Sequence, residues 1–192
     1  MATLRYAFPA LAAMLAITAP STVAHAVPQA SDDCDIRLAN IIDPPKFSDY
    51  PAPRVKIRPA KPVMKTPEEW RFRTMLRQQS AAGPNFAGHY TVVIWGCGTS
   101  CLTPVIVDAK SGRVFFDNQL GIVSTNHVPE QHDGEKLQYE ALRFRVDSRM
   151  LVVLGASSDA DAPDGAAFYE WTGKGLKLIR YVPRPKICEP TA

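Results

Sequence analysis

The chain is predicted to be mainly β, with a minor α component, and three observations predict this class. From residue 90 onwards, short runs rich in β-branched and aromatic residues alternate with turns that contain glycine or small polar residues. One amphipathic helical pattern precedes these runs, and a proline-rich stretch precedes the helix. We therefore expect an antiparallel β-meander, as a single sheet or a small sandwich, with one N-terminal helix and a Pro-rich arm.

The first 26 residues have the pattern of a secretory signal peptide. Arg5 gives a short positive start, an apolar stretch covers residues 10–19, and Ala24-His25-Ala26 is a small-x-small cleavage site. We expect cleavage after Ala26 and a periplasmic or secreted protein. No later run approaches the roughly 20 consecutive apolar residues that a bilayer-spanning helix needs, so the mature chain is predicted not to span a membrane.

The length and the net charge of the chain limit the functions that it can have. The 192-residue chain has a formal net charge of +3, which becomes +2 when Arg5 leaves with the signal peptide. This charge is too small to suggest a nucleic-acid binder. The size fits one folded domain, and we divide the chain into a signal peptide (1–26), a Pro-rich basic arm (27–66) and a single β-rich domain with an N-terminal helix (67–188).

The arm combines proline with positive charge. Residues 44–67 contain seven prolines and a single carboxylate, Asp49, and the cations Arg54, Lys56, Arg58, Lys61 and Lys65 are interleaved with the prolines. Proline fixes φ and removes a hydrogen-bond donor, which favours an extended segment on the surface. The simpler interpretation is a solvated strap around the fold, and the alternative is a patch for anionic envelope polymers.

The helix and the strands follow the arm. Thr66-Pro67-Glu68-Glu69 is a helix-start signal and Gly83-Pro84 a stop signal, which together predict one helix over about 67–81. The first strand is apolar on both sides, so we expect it to be central and covered on both faces. The predicted strands are 90–95, 105–108, 113–117, 142–146, 150–155, 167–172 and 176–182.

Cys97 and Cys101 lie in the sequence "IWGCGTSC". In a straight strand their Cα atoms would be roughly 13 Å apart, whereas a disulfide needs about 4.4 to 6.8 Å. The intervening glycine and small polar residues suit a tight loop that brings them together. An even number of cysteines in an exported protein favours pairing, and we expect Cys97 with Cys101 and Cys34 with Cys188.

Two other roles for the Cys97/Cys101 pair are less favoured. A redox centre would place a helix after the cysteines to lower a thiol pKa, and no helix is predicted after Cys101. A zinc site would need further ligands, and the spacing of the candidate residues matches no finger or ribbon. Those candidates are His89, His127, His132 and Asp133.

The candidate binding residues are His89 and three aromatic residues that alternate on the last strands: Tyr169, Trp171 and Tyr181. Alternating aromatic residues usually pack across strands, but an exposed face of this kind would serve as a binding platform. No phosphate loop, nucleophile elbow or dinucleotide fingerprint is present, and we assign no catalytic residue, metal ligand or cofactor. The alternative is a hydrolytic enzyme that uses His89 or the loop of His127 and His132.

Residues 83–115, "GPNFAGHYTVVIWGCGTSCLTPVIVDAKSGRVF", together with the later "DSRMLVVLGA" and "FYEWTGKGLKLI", carry a resemblance. In these segments the chain resembles a group of small exported bacterial proteins, which implies a bacterial, exported setting and no particular reaction. In strand order alone it also resembles periplasmic lysozyme inhibitors, small β proteins in which a loop plugs an enzyme cleft. The slight positive charge is poorly suited to a basic lysozyme.

These observations favour a non-catalytic exported β module that binds an envelope protein or an anionic polymer. The basic arm and the aromatic face are its candidate surfaces.

Overall fold

The computed structural model describes residues 34–129, 141–157 and 163–189. The predicted signal peptide, His132 and Asp133 lie outside these ranges. Within them, eight antiparallel strands form one open sheet, which confirms the predicted fold class. The strands are β1 (Tyr90–Gly98), β2 (Cys101–Asp108), β3 (Val114–Phe115), β4 (Val123–Ser124), β5 (Leu142–Phe144), β6 (Met150–Ser157), β7 (Gly165–Trp171) and β8 (Leu176–Pro183).

The predicted helix is two helices, α1 (Pro67–Arg71) and α2 (Arg73–Ser80). The start is as predicted, because the Thr66 hydroxyl accepts a hydrogen bond from the backbone N–H of Glu69, and the Glu69 carboxylate bonds back to the N–H of Thr66. The single-helix prediction is wrong at Phe72, whose φ of −100° and ψ of 13° interrupt the helix. The Phe72 ring stacks on Trp95 with centroids 4.6 Å apart, a tertiary contact that helical periodicity does not encode.

Further short elements surround the sheet. A third helix, α3 (Arg184–Ile187), follows β8, and two 3₁₀ turns, Leu38–Asn40 and Phe47–Asp49, lie in the first half of the predicted arm. Among the described residues, no helix is both long and apolar enough to cross a bilayer.

The strand order is β1-β2-β4-β6-β7-β8, with β3 paired to β2 and β5 paired to β6. The sequence did not predict β4, because two residues are too short a stretch to show a period. This strand nevertheless links the two halves of the sheet: Val123 pairs with Leu102 of β2 on one side and with Ser157 of β6 on the other.

The sheet buries apolar side chains on both faces of β1 and β2. Val92 and Ile106 belong to the larger hydrophobic cluster, which includes β6 and β7. Val93 and Trp95 point to the other face, where they join Leu76 of α2 in a smaller cluster. The coverage of β1 on both faces is therefore as predicted.

The predicted central position of β1 is wrong, because this strand lies at an edge of the sheet. Side-chain amides take the place of a neighbouring strand. Gln79 of α2 accepts from the Ile94 N–H at 2.8 Å and donates to the Ile94 carbonyl at 2.6 Å. Asn85 makes the same pair of bonds to Val92, at 2.7 and 3.2 Å. At Val92 and Ile94 the edge is thus satisfied without another strand, which hinders pairing with other chains there.

Both predicted disulfides are present. Cys97 and Cys101 close the β1–β2 hairpin with their Cα atoms 5.4 Å apart. Cys34 and Cys188 join the two ends of the described chain, across 154 residues of sequence. Two disulfides are consistent with a periplasmic or extracellular location.

Candidate functional site: the basic arm and its groove

The arm runs in an extended path across the domain and is held by its backbone. The N–H groups of Val55, Ala60 and Val63 donate to the carbonyl oxygens of Gly88, Ala109 and Gly112, at 3.1, 2.8 and 2.8 Å. The arm's path is therefore fixed by main-chain bonds, which leaves its charged side chains free to face solvent.

Two glycines allow this close approach. A Cβ atom on Gly112 would lie 2.2 Å from the carbonyl oxygen of Lys61, and one on Gly88 would lie 2.3 Å from that of Pro53. Both glycines also have positive φ, +75° and +83°, which side chains rarely adopt. The domain surface is thus shaped to receive the arm's backbone.

Lys56, Arg58, Lys61 and Lys65 are exposed along this path. Within the described parts of the chain, none of the four makes an ion pair. We call these four residues the basic track. Residues 50–67 contain no carboxylate, so no negative charge within this part of the arm offsets them.

Arg54 differs from the basic track, because it binds a carboxylate. Its guanidinium lies 3.2 Å from Asp147, which also accepts hydrogen bonds from Arg145 at 2.9 and 3.1 Å. The bonds from Arg145, and then from Arg54, hold the pKa of Asp147 below its ordinary value. Arg54 therefore helps to anchor the arm.

A groove of about 850 Å³ lies between the arm and α2. Arg58 and Lys61 line it from the arm, and Arg77 and Ser80 line it from the helix. The rest of its lining is proline and alanine, with no carboxylate. We call this feature the basic groove.

Ser80 is an unusual lining residue. It is only 3% exposed, and its hydroxyl oxygen is buried without a hydrogen-bond partner in the described structure. Buried hydroxyls are nearly always bonded, so an unpartnered one at a polar groove calls for an explanation.

We predicted the arm cations from the sequence, but not the helix residues Arg77 and Ser80. Arg77 and Ser80 are three apart and therefore share a face of α2, a signal that was available. The arm lies beside this face because of tertiary contacts, which no local sequence pattern predicts.

The predicted aromatic platform is not formed by Tyr169 and Trp171. Trp171 is 1% exposed and packs edge-on against Tyr90 and Phe115, with centroids 5.3 and 5.2 Å away. Tyr169 is 7% exposed in the same core cluster. Both sheet faces are covered here, so the alternation of these residues reflects packing across strands.

Tyr181 is partly exposed, but its hydroxyl is bound within the protein. It donates to the carbonyl oxygens of Pro163 and Asp164, which lie 2.8 and 3.0 Å away. Burial, followed by the nearby Asp164 charge, raises the pKa of this phenol. Tyr181 therefore holds the start of β7 against β8.

His89 lies beside the carboxylate of Asp108, with Nε2 3.6 Å from Oδ1, and its ring lies against Tyr90. Burial, followed by the charge of Lys110, lowers the His89 pKa, and the Asp108 charge only partly opposes this. The nearby Ser111 hydroxyl donates to Asp108 at 2.6 Å. A Ser-His-Asp triad needs the imidazole between the hydroxyl and the carboxylate, whereas here the carboxylate is in the middle.

His127 also binds a carboxylate, because its Nδ1 is in hydrogen-bond contact with Asp164. His132, its predicted companion, lies outside the described residues. In the described ranges, no group of three or more His, Cys, Asp or Glu residues is arranged to hold a metal ion. All four cysteine sulfurs are in disulfides, as the staple interpretation predicted for Cys97 and Cys101.

Comparisons with protein-family models, curated proteins and solved structures give no match to this chain.

Proposed function

We propose that this protein is a non-catalytic binding module, exported by its signal peptide, that holds an anionic envelope polymer on its basic arm. The observation that carries the proposal is the basic track: four exposed cations without ion pairs in the described structure, on an arm fixed by backbone hydrogen bonds.

The geometry of the arm favours a polymer over a compact protein partner. From Lys56 to Lys65 an extended chain spans roughly 30 Å, which matches a linear ligand with repeated charges. Two of the aromatic residues that we expected to anchor a protein partner, Tyr169 and Trp171, are buried.

The fixed path of the arm supports the same function. A flexible basic segment loses conformational freedom when it binds, and that loss subtracts from affinity. This arm is already ordered against Gly88, Ala109 and Gly112. Its side chains therefore present their charges in a defined row before any ligand arrives.

Two double charge reversals test this proposal. Lys56→Glu with Lys61→Glu alters the basic track, and Lys177→Glu with Lys186→Glu alters exposed lysines on β8 and α3. Both variants change the net charge equally. The measurement is binding of the purified proteins to immobilised polyphosphate and polygalacturonate, with neutral dextran as a blank.

We expect the arm variant to lose at least about tenfold in affinity, since four units of charge change on the binding face, and the control variant to lose far less. Binding of the unmodified protein should also weaken in about 0.5 M salt, which screens exposed charges. An equal loss in both variants, or retention of the protein on neutral dextran, would refute a role for the arm.

A further inference from the structure

Resting on the proposed function, we infer that the basic groove is a subsite for a phosphate monoester group carried by the polymer. The sequence and the basic track alone indicate only an attraction to negative charge. The groove adds a site with defined donors and therefore a preference for one kind of anion.

The charges that line the groove favour a ligand that carries more than one negative charge. Arg58, Lys61 and Arg77 come from two separate segments, and the lining contains no carboxylate to neutralise them. Three like charges around one groove repel one another unless an anion lies between them. A carboxylate brings one negative charge, whereas a phosphate monoester brings nearly two at neutral pH.

The donors also match the acceptors of phosphate. Two guanidinium groups provide the planar, forked donors that bind phosphate oxygens in pairs, and the ammonium of Lys61 adds a point charge. A monoester offers three terminal oxygens to share among these groups. A carboxylate has only two oxygens, and a phosphodiester has two terminal oxygens and a single charge.

Ser80 supplies the independent observation. Ser80 belongs to the groove lining, and its buried hydroxyl has no hydrogen-bond partner among the described residues. An oxygen of the bound phosphate is the acceptor that this donor lacks. The groove volume of about 850 Å³ exceeds the size of one phosphate group, so the ester can be attached to a larger chain.

The first test compares small anions by titration calorimetry of the full protein. Methyl phosphate should bind at least about tenfold more tightly than dimethyl phosphate or acetate. Its affinity should rise several-fold between pH 5 and pH 7, because the second ionisation of a phosphate monoester lies near pH 6. Sulfate carries two negative charges throughout this pH range, so its binding should stay constant.

Ser80→Ala and Arg77→Gln test the assigned donors. Each should weaken methyl phosphate binding about tenfold, the effect expected from losing one hydrogen bond to a charged group. Arg73→Gln is the matched control, because Arg73 is an exposed arginine on the same helix that does not line the groove. The thermal midpoint of Ser80→Ala should not fall, since its hydroxyl has no partner to lose.

A third comparison separates a polymer subsite from a site for the free ion. Dextran carrying phosphate monoesters should bind more tightly per phosphate group than inorganic phosphate. Tighter binding of inorganic phosphate would overturn the polymer assignment, and equal binding of all the anions would overturn the subsite. If Ser80→Ala binds methyl phosphate normally while the Lys56/Lys61 double variant has lost polyphosphate binding, this inference is wrong and the proposed function stands. If the Lys56/Lys61 double variant binds polyphosphate as tightly as the unmodified protein, the proposed function is wrong.

Discussion

Single polar side chains form hydrogen bonds with two residues of the β1 edge. Gln79 and Asn85 each bond to both the N–H and the carbonyl of one β1 residue, Ile94 and Val92 respectively. Each amide gives one β1 residue the pair of hydrogen bonds that a neighbouring strand would give. The α2 helix and the segment 83–85 therefore contribute hydrogen bonds to the sheet.

Removing the Gln79 amide should lower the stability of the fold. In Gln79→Ala the Ile94 N–H and carbonyl lose their partners in a partly buried setting, and we expect the free energy of unfolding to fall by about 1 to 3 kcal/mol. Gln78→Ala, at an exposed neighbouring position on the same helix, should change it by less than about 0.5 kcal/mol. Urea denaturation measures both, and equal effects would contradict the edge-capping role.

His89 should make stability depend on pH. Because its pKa is lowered in the folded state, the unfolded chain binds the proton more readily, and stability is lost as pH falls through the ordinary histidine value of about 6.5. His89→Gln should therefore lose less stability than the unmodified protein between pH 7.5 and pH 5. The readout is the urea midpoint at each pH, and parallel pH profiles would argue against this role.

At the scale of elements, the arm depends on the glycines beneath it. Gly112→Ala would force a Cβ atom against the carbonyl oxygen of Lys61 at a position with positive φ, so the arm should lift from the domain. Trypsin should then cleave after Lys65 faster than in the unmodified protein, as followed by mass spectrometry. Gly96→Ala, where a Cβ meets open space, is the control, and equal cleavage rates in the two variants would contradict a tethered arm.

The elements also show how far sequence patterns extend. The start of α1 and the cores of the long strands were predictable, because capping residues and β-branched runs are local signals. The break at Phe72 and the edge position of β1 were not, since they follow from a ring stacked on Trp95 and from amides supplied by other segments. In the candidate site, the arm cations were visible in the sequence, whereas their meeting with Arg77 and Ser80 required the fold.

At the scale of the whole molecule, the two disulfides should differ in their effect on stability. Cys34–Cys188 closes a loop of 154 residues and Cys97–Cys101 one of 4 residues. On the loop-entropy model, replacing the long-range pair with alanines costs about 5 kcal/mol and replacing the hairpin pair about 2 kcal/mol. Urea unfolding of the two double variants measures this order, and a larger loss for the hairpin pair would contradict it.

We propose that, in the whole molecule, the ordered basic arm on the disulfide-closed β domain is the binding surface. Lysine footprinting of the unmodified protein tests this most directly. Acetylation is followed by mass spectrometry with and without polyphosphate. We expect the polymer to protect Lys56, Lys61 and Lys65 and to leave Lys177 and Lys186 reactive. Protection of Lys177 and Lys186 with an unprotected arm would contradict it.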